Sequence, residues 1–237
     1  MIKVSIHQPM YLPYPGIFNK IKNSDIFIFL DDAQYTRTYF YNRNKIKKPT
    51  GEMMIVVPII QKHKQNLNEV QISQNVNWQE HHFRTFEHMY NTSDHFKDYK
   101  DYFERIYEKK FQYLNDLNIE TMVDIMKELE INIPIYFSSK LLPDKELKST
   151  ERLIELCKKV GGDVYVSGMG GKNYMDEKLF EKEDIKIVYL NYKTKEYKQL
   201  FSDFIPNLSI VDLLFNMGDR AKEYINPRVS PNLELNE

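Results

Sequence analysis

The order of hydrophobic and polar positions divides the chain into short apolar runs and longer periodic ones. Residues 2–6 (IKVSI) alternate apolar with polar and predict a strand. Pro9, Pro13, Pro15 and Gly16 then prevent regular structure up to residue 17, after which residues 17–22 fit one or two helical turns. Residues 25–30 (DIFIFL) are continuously apolar after Asp25 and end at Asp31 and Asp32, the pattern of a strand buried on both faces in a parallel sheet. Residues 53–60 predict another strand and residues 69–72 a short one.

From Trp78 to about Leu114 the spacing becomes helical, through Phe83, Phe86, Met89 and Tyr90, then Tyr99, Tyr102, Phe103, Ile106 and Tyr107. Two helices broken near residues 91–93 follow, with Asn77 and Glu80 resembling a capping box, and a third helix over 119–129. A strand over 133–137 ends at Ser138-Ser139-Lys140. Ser149 or Thr150 caps a helix that stops at Gly161-Gly162. A strand over 163–166 leads into Ser167-Gly168-Met169-Gly170-Gly171-Lys172, then a helix over 174–181, a strand over 185–190 and a last helix over 209–215. This alternation predicts an α/β fold with a mostly parallel, Rossmann-like sheet and a central helical insertion over about residues 77–130, in one domain spanning residues 1–237.

Composition narrows the setting. Thirty-three basic residues meet 34 acidic ones, so the overall basic excess of a nucleic-acid-binding protein is missing. No apolar stretch approaches the length of a membrane span, and MIKVSIHQPM lacks the profile of a secretory signal, so a cytoplasmic protein is expected. The lone cysteine, Cys157, rules out an internal disulfide and sits on an apolar helical stripe, where an inert buried thiol is expected. The histidines at 81, 82, 88 and 95 lack the tight spacing of a zinc motif, and no metal is expected.

Ligands of open parallel sheets bind at the carboxyl ends of the strands. Four unusual segments fall there: residues 7–16, 31–35, 138–140 and 167–172. His7 leaves a strand into a rigid proline loop, as a histidine that donates to an anion or acts as acid or base near pH 7. Asp31 and Asp32 suit a general base or an acceptor of sugar hydroxyls. Asn42, Arg43, Asn44, Lys45 and Lys47 read either as a diphosphate-binding cluster or as an exposed basic turn. The glycine loop at 167–172 lets backbone approach a ligand, although it matches neither GxxxxGK[ST] nor GxGxxG.

Taken in order, HQPMYLPYPGIFNKI, DIFIFLDDAQYTR, NRNKIK, YVSGMGGKNYMDEKLF and SIVDLLFNMG resemble the WbqC-like family of bacteria over about residues 3–218. Tyr14 stands where members usually carry Trp. The family is associated with gene clusters for O-antigen, the lipopolysaccharide side chain, and for other surface polysaccharides. The resemblance implies a transferase that acylates the amino group of a nucleotide-linked deoxyamino sugar, with glycine among the candidate acyl groups. On that reading His7, Asp31 or Asp32 is the base, amides of residues 168–172 stabilise the oxyanion, and Arg43, Lys45 and Lys172 hold the diphosphate. Gln8, Tyr11, Tyr35, Asn42, Ser138, Ser139, Lys140, Ser167, Gly168, Gly170, Gly171 and Tyr174 complete the substrate-binding set. The partners are the sugar nucleotide and an acyl or amino-acid donor. No nucleic acid is expected beyond an aminoacyl-tRNA donor, and no cofactor is identified. Two alternatives stay open. One is an ATP-dependent, nucleotidyltransferase-like amide ligase that activates a carboxylate, given the loose likeness of the His7 loop to an HxGH loop. The other is a non-enzymatic sugar-nucleotide-binding protein.

Overall fold

Five short runs of the sequence come together as one parallel sheet. The computed structural model describes residues 1–143, 146–147, 149–201 and 203–225. In chain order the elements are β1 (Lys3–His7), α1 (Pro15–Lys22), β2 (Ile26–Phe29), β3 (Arg43–Lys48), β4 (Gly51–Val56), β5 (Ile59–Ile60), β6 (Gln71–Ile72), α2 (Trp78–Tyr90), α3 (Phe96–Glu108) and α4 (Leu114–Glu128). They continue as β7 (Ile135–Phe137), α5 (Ser138–Leu141), α6 (Ser149–Lys159), β8 (Val164–Gly168), α7 (Glu177–Lys182), β9 (Lys186–Leu190), α8 (Ile210–Met217) and α9 (Ala221–Tyr224). The sheet runs β7-β2-β1-β8-β9, every neighbouring pair parallel. Counted within the sheet this order is 3-2-1-4-5, and it reverses direction between β1 and β8, where doubly wound sheets open their ligand crevice.

The apolar run of β2 serves two cores. Phe27 and Phe29 face a cluster shared with α1, the helical insertion and α8, while Ile28 joins Val4, Ile6 and the apolar stripes of α6 and α7. All three β2 side chains are fully buried, which stabilises each by about 1.5–3 kcal/mol and explains why the strand does not alternate. Gly161 closes α6 at φ +68°, a conformation in which glycine lacks the strain of other residues.

Several boundaries differ from the sequence pattern. Residues 42–48 are not a turn: β3 pairs antiparallel with β4, from Arg43 opposite Val56 to Lys48 opposite Gly51. The run over 53–60 breaks at Pro58, which has no N–H for a ladder, and Val57 N donates instead to Asn42 O at 2.7 Å. The third insertion helix starts at Leu114, five residues before its expected start. Asn77 makes no capping box, because its amide donates to Glu80 Oε2 at 2.6 Å and nothing caps the helix backbone. The helix expected from 174 begins at Glu177, capped by Asp176, whose Oδ1 accepts from Lys178 N.

The loop from Gln8 to Tyr14 has no regular structure, and side chains from remote elements bind its backbone. Asn44 Nδ2 donates to the carbonyls of Tyr11 (3.2 Å) and Leu12 (2.7 Å). Ser209 Oγ donates to Leu12 O at 2.7 Å, and Asn118 Nδ2 to Pro9 O at 3.4 Å and Tyr41 O at 2.8 Å. Main-chain bonds from Tyr11 N to Tyr41 O and from Ile210 N to Pro13 O add to these. Leu12 is held at φ +42°, a strained value for a branched side chain, with 1% exposure. Asn44→Ala strips Tyr11 O of its amide donor and Leu12 O of one of two donors. We expect a loss of about 1–3 kcal/mol in chemical unfolding. An unchanged midpoint and slope would show that the loop does not rely on Asn44.

Candidate active site

A cleft of about 1150 Å³ opens at the carboxyl edge of the sheet where the strand order reverses. His7 and Gln8 after β1, Asp32 after β2, Ser167 to Gly171 at the end of β8, and Leu190 to Tyr192 after β9 all line it. The edge is shared because every strand runs the same way. Tyr14, Tyr39, Tyr41, Tyr174 and Tyr192 supply aromatic wall, with the Tyr14 and Tyr192 rings 6.2 Å apart. Gly16 lets the Tyr14 ring lie against α1: a Cβ there would stand 2.2 Å from a Tyr14 ring carbon.

The two aspartates divide their tasks. Asp31 Oδ1 accepts from Ser139 N at 3.0 Å and its Oδ2 from Ser139 Oγ at 2.6 Å, so Asp31 caps α5. Its own carbonyl accepts from Asn115 Nδ2 at 2.7 Å. Asp32 faces the cleft and pairs with Arg152 of α6 at 2.8 Å. Ser138 Oγ lies 3.0 Å from Asp31 Oδ1 and 2.5 Å from Asp32 Oδ1, so its one proton serves both carboxylates. Both carboxylates have partners on each oxygen, and of the two only Asp32 meets the cleft, which leaves Asp31 as a structural anchor.

His7 is partly buried. Its Nδ1 lies 2.9 Å from Gln8 O, which can only accept, so Nδ1 carries the proton and Nε2 keeps its lone pair. Burial, helped by the nearby Lys20 charge, lowers its pKa to about 3. The ring is neutral at neutral pH, which corrects the expectation of a histidine titrating near 7. Lys20 of α1 also lines the cleft. Its Nζ donates to Ile6 O at 2.9 Å, and burial lowers it to about 7.

The glycine loop begins within β8 and continues as a 3-10 turn, Met169–Asn173. Gly171 is needed for packing, since a Cβ there would meet Ser167 Oγ at 2.2 Å and Met175 Cε at 2.8 Å. Gly168 and Gly170 have nothing within 4 Å of such a Cβ, so the protein's own packing does not demand glycine there. Both border the cleft.

Ten of the expected site residues lie outside its lining: Tyr11, Asp31, Tyr35, Asn42, Arg43, Lys45, Ser138, Ser139, Lys140 and Lys172. Tyr11 is buried, its hydroxyl 2.9 Å from His82 Nδ1 and 2.5 Å from Tyr107 Oη. Tyr35 Oη donates to Asn42 Oδ1, and Asn42 Nδ2 to Val57 O. In place of a diphosphate cluster, Arg43 donates to Arg37 O at 2.7 Å and Lys45 pairs with Glu52 at 2.5 Å. Lys140 and Lys172 lie over the rings of Phe137 and Tyr189. The sequence reading missed Arg152 and Lys20. Lys20 carried a signal: it shares a helical face with the apolar Ile17 and Ile21. Arg152 carried none, being one charge among several on α6. A second cavity of about 930 Å³ lies away from the sheet edge, among α3, α4 and the residues around α8, with Tyr99, Tyr102 and Glu128 in its wall.

A cleft at the reversal of an open parallel sheet defines a doubly wound α/β protein, and such sheets bind small ligands at that place. The chain belongs to the WbqC-like protein family, which matches residues 8–224. It is similar to a Mycobacterium tuberculosis (strain H37Rv) protein named "Uncharacterized protein Rv1507c", 36% identical over 231 residues, which are 95% of this chain and 98% of that protein. No solved structure matches the chain. Among the described residues no helix is long and apolar enough to cross a membrane.

The histidines make stability depend on acidity. His7 and His82 have folded-state values of about 3 and 4 against an ordinary 6.5. Between about pH 6.5 and 4 the unfolded chain therefore binds protons that the folded one refuses, and stability falls as pH falls, by up to about 1.4 kcal/mol per pH unit and per group. Unfolding free energies measured across this range should show a shallower slope in His7→Asn. An identical slope would mean that His7 is free to protonate in the folded protein.

Proposed function

We propose that this protein acylates the amino group of a nucleotide-linked deoxyamino sugar, with an amino acid such as glycine among the acyl groups, in the assembly of a bacterial surface polysaccharide. The observation that carries the reading is the convergence of a neutral histidine and a glycine-lined strand end on one aromatic-walled cleft. Amide formation requires the sugar amine to attack the acyl carbonyl while losing a proton, and the bond from that carbonyl to the donor's leaving group to break. His7 Nε2, whose lone pair is left free by the proton on Nδ1, takes the proton as the forming C–N bond makes the amine N–H acidic. Asp32, fixed by Arg152 and Ser138, accepts from a sugar hydroxyl. Backbone amides near Gly168 and Gly170 meet the oxyanion, where the absence of a Cβ allows close approach. The tyrosines offer faces for the base and the sugar. Cys157 has no part: it is fully buried on α6 and burial pushes its thiol up to about 12.

Mass spectrometry of nucleotide-amino-sugar reactions, run with each class of acyl donor in turn, tests the reading. We expect an acylated sugar nucleotide, a loss of about 10²–10⁴-fold in rate for His7→Ala, and a normal rate for Cys157→Ser. Gly170→Ala should fold normally and lose activity. Consumption of ATP only with a free acid would select the carboxylate-activating ligase, a reading favoured by the run of β1 through the His7 loop into α1. Binding without product under every donor would leave a sugar-nucleotide-binding protein.

A further inference from the structure

Lys20 is the charged group of the cleft that the acyl-transfer roles leave unassigned. It sits on the inward face of α1 at 8% exposure, and its Nζ donates to the carbonyl of Ile6. An ammonium has three N–H donors, and one backbone carbonyl neither uses them all nor neutralises the charge. Among the described residues no carboxylate forms an ion pair with Lys20, whereas the cleft's other cation, Arg152, is paired with Asp32. A buried cation without a counter-ion is costly to keep, which makes an incoming anion its natural partner. The cations expected for a diphosphate are elsewhere: Arg43, Lys45 and Lys172 do not line the cleft.

We propose that the cleft floor beside His7 is an anion-binding subsite in which Lys20 receives the phosphate or carboxylate group of the ligand. The proposal deepens the transferase reading and rests on it for the choice of ligands. His7 borders the subsite from β1 as a neutral ring, able to accept a hydrogen bond but carrying no charge to repel or attract the anion. The other ionisable groups of the cleft are the Asp32–Arg152 pair and the tyrosines of its wall, Tyr14 at the start of α1, Tyr165 of β8 and Tyr174 after the glycine loop among them. Because burial holds Lys20 near 7, the empty protein leaves it only partly charged at mild alkaline pH, and an anion bound beside it raises its pKa and draws a proton from solution.

Titration calorimetry on the full chain at pH 7.5, in two buffers of different ionisation enthalpy, reads that proton. The probes are inorganic pyrophosphate, uridine diphosphate and glycine. We expect binding with uptake of a large fraction of one proton. Lys20→Met should weaken binding by about tenfold or more, and Lys20→Arg should keep binding without the uptake, because arginine stays charged. The uptake accompanying the phosphate probes identifies a phosphate as the occupant, and its appearance with glycine alone identifies the donor's carboxylate. Equal affinity in a folded Lys20→Met protein, binding without proton uptake, or binding of no probe would overturn the subsite. Pyrophosphate bound at Lys20 with no acyl transfer under any donor would leave the subsite standing and refute the transferase. Acyl transfer with an unchanged KM in Lys20→Met would do the reverse.

Discussion

An irregular loop inside a protein must find a partner for each of its backbone polar groups, and this constraint organises the molecule. The segment between β1 and α1 carries two prolines, Pro9 and Pro13, and a residue at positive φ, so it can form neither helix nor ladder. Its carbonyls are met by Asn44 of β3, Asn118 of α4 and Ser209 ahead of α8. The β3–β4 hairpin, the helical insertion and the cap of α8 thus share one task. They fix the path of the chain as it leaves β1, and with it the position of His7 and the first turn of α1 at the cleft.

The opposite side of the cleft is held by charge. Asp31 and Asp32 are adjacent in sequence and bind in different directions, one capping α5 and the other pairing with Arg152 of α6. β2, β7 and two helices are locked together by one pair of carboxylates and one pair of serines. The Asp32–Arg152 contact is nearly enclosed, with side-chain exposures of 2% and 12%. Removing one partner of such a pair costs far more than a surface ion pair does. The cleft therefore combines a neutral histidine, a satisfied ion pair and a lysine that, among the described residues, has no carboxylate partner.

The central strand β2 was legible because burial on both faces leaves a local trace: residues 26–30 (IFIFL) have no polar position to misread. The glycine stop after α6 and the breaks in the insertion were legible for the same reason, being properties of neighbouring residues. What escaped was set by partners far along the chain. In β3, Asn44 and Lys47 look like solvated polar residues, yet both are buried, Asn44 against the His7 loop and Lys47 against Gln199 and the carbonyl of Asp203. The start of α4 was hidden because Asn115 and Asn118 interrupt its apolar pattern, while their amides reach Asp31 and Tyr41 across the core. His7, Gln8, Asp32 and the glycine loop were readable as a group from their position after strands. Where the cations of residues 43–47 point was not legible, because composition shows how many cations a segment has and not whom they bind.

The central claim is that the crevice at the strand-order reversal, between the ends of β1 and β8, receives the ligand. Hydrogen exchange with and without a nucleotide-linked amino sugar measures this most directly, since amides covered or ordered by the ligand slow down. The account predicts slowed exchange over residues 7–20, 30–34 and 165–174. Slowing confined to the cavity around Tyr99, Tyr102 and Glu128, with the strand ends unchanged, would contradict it.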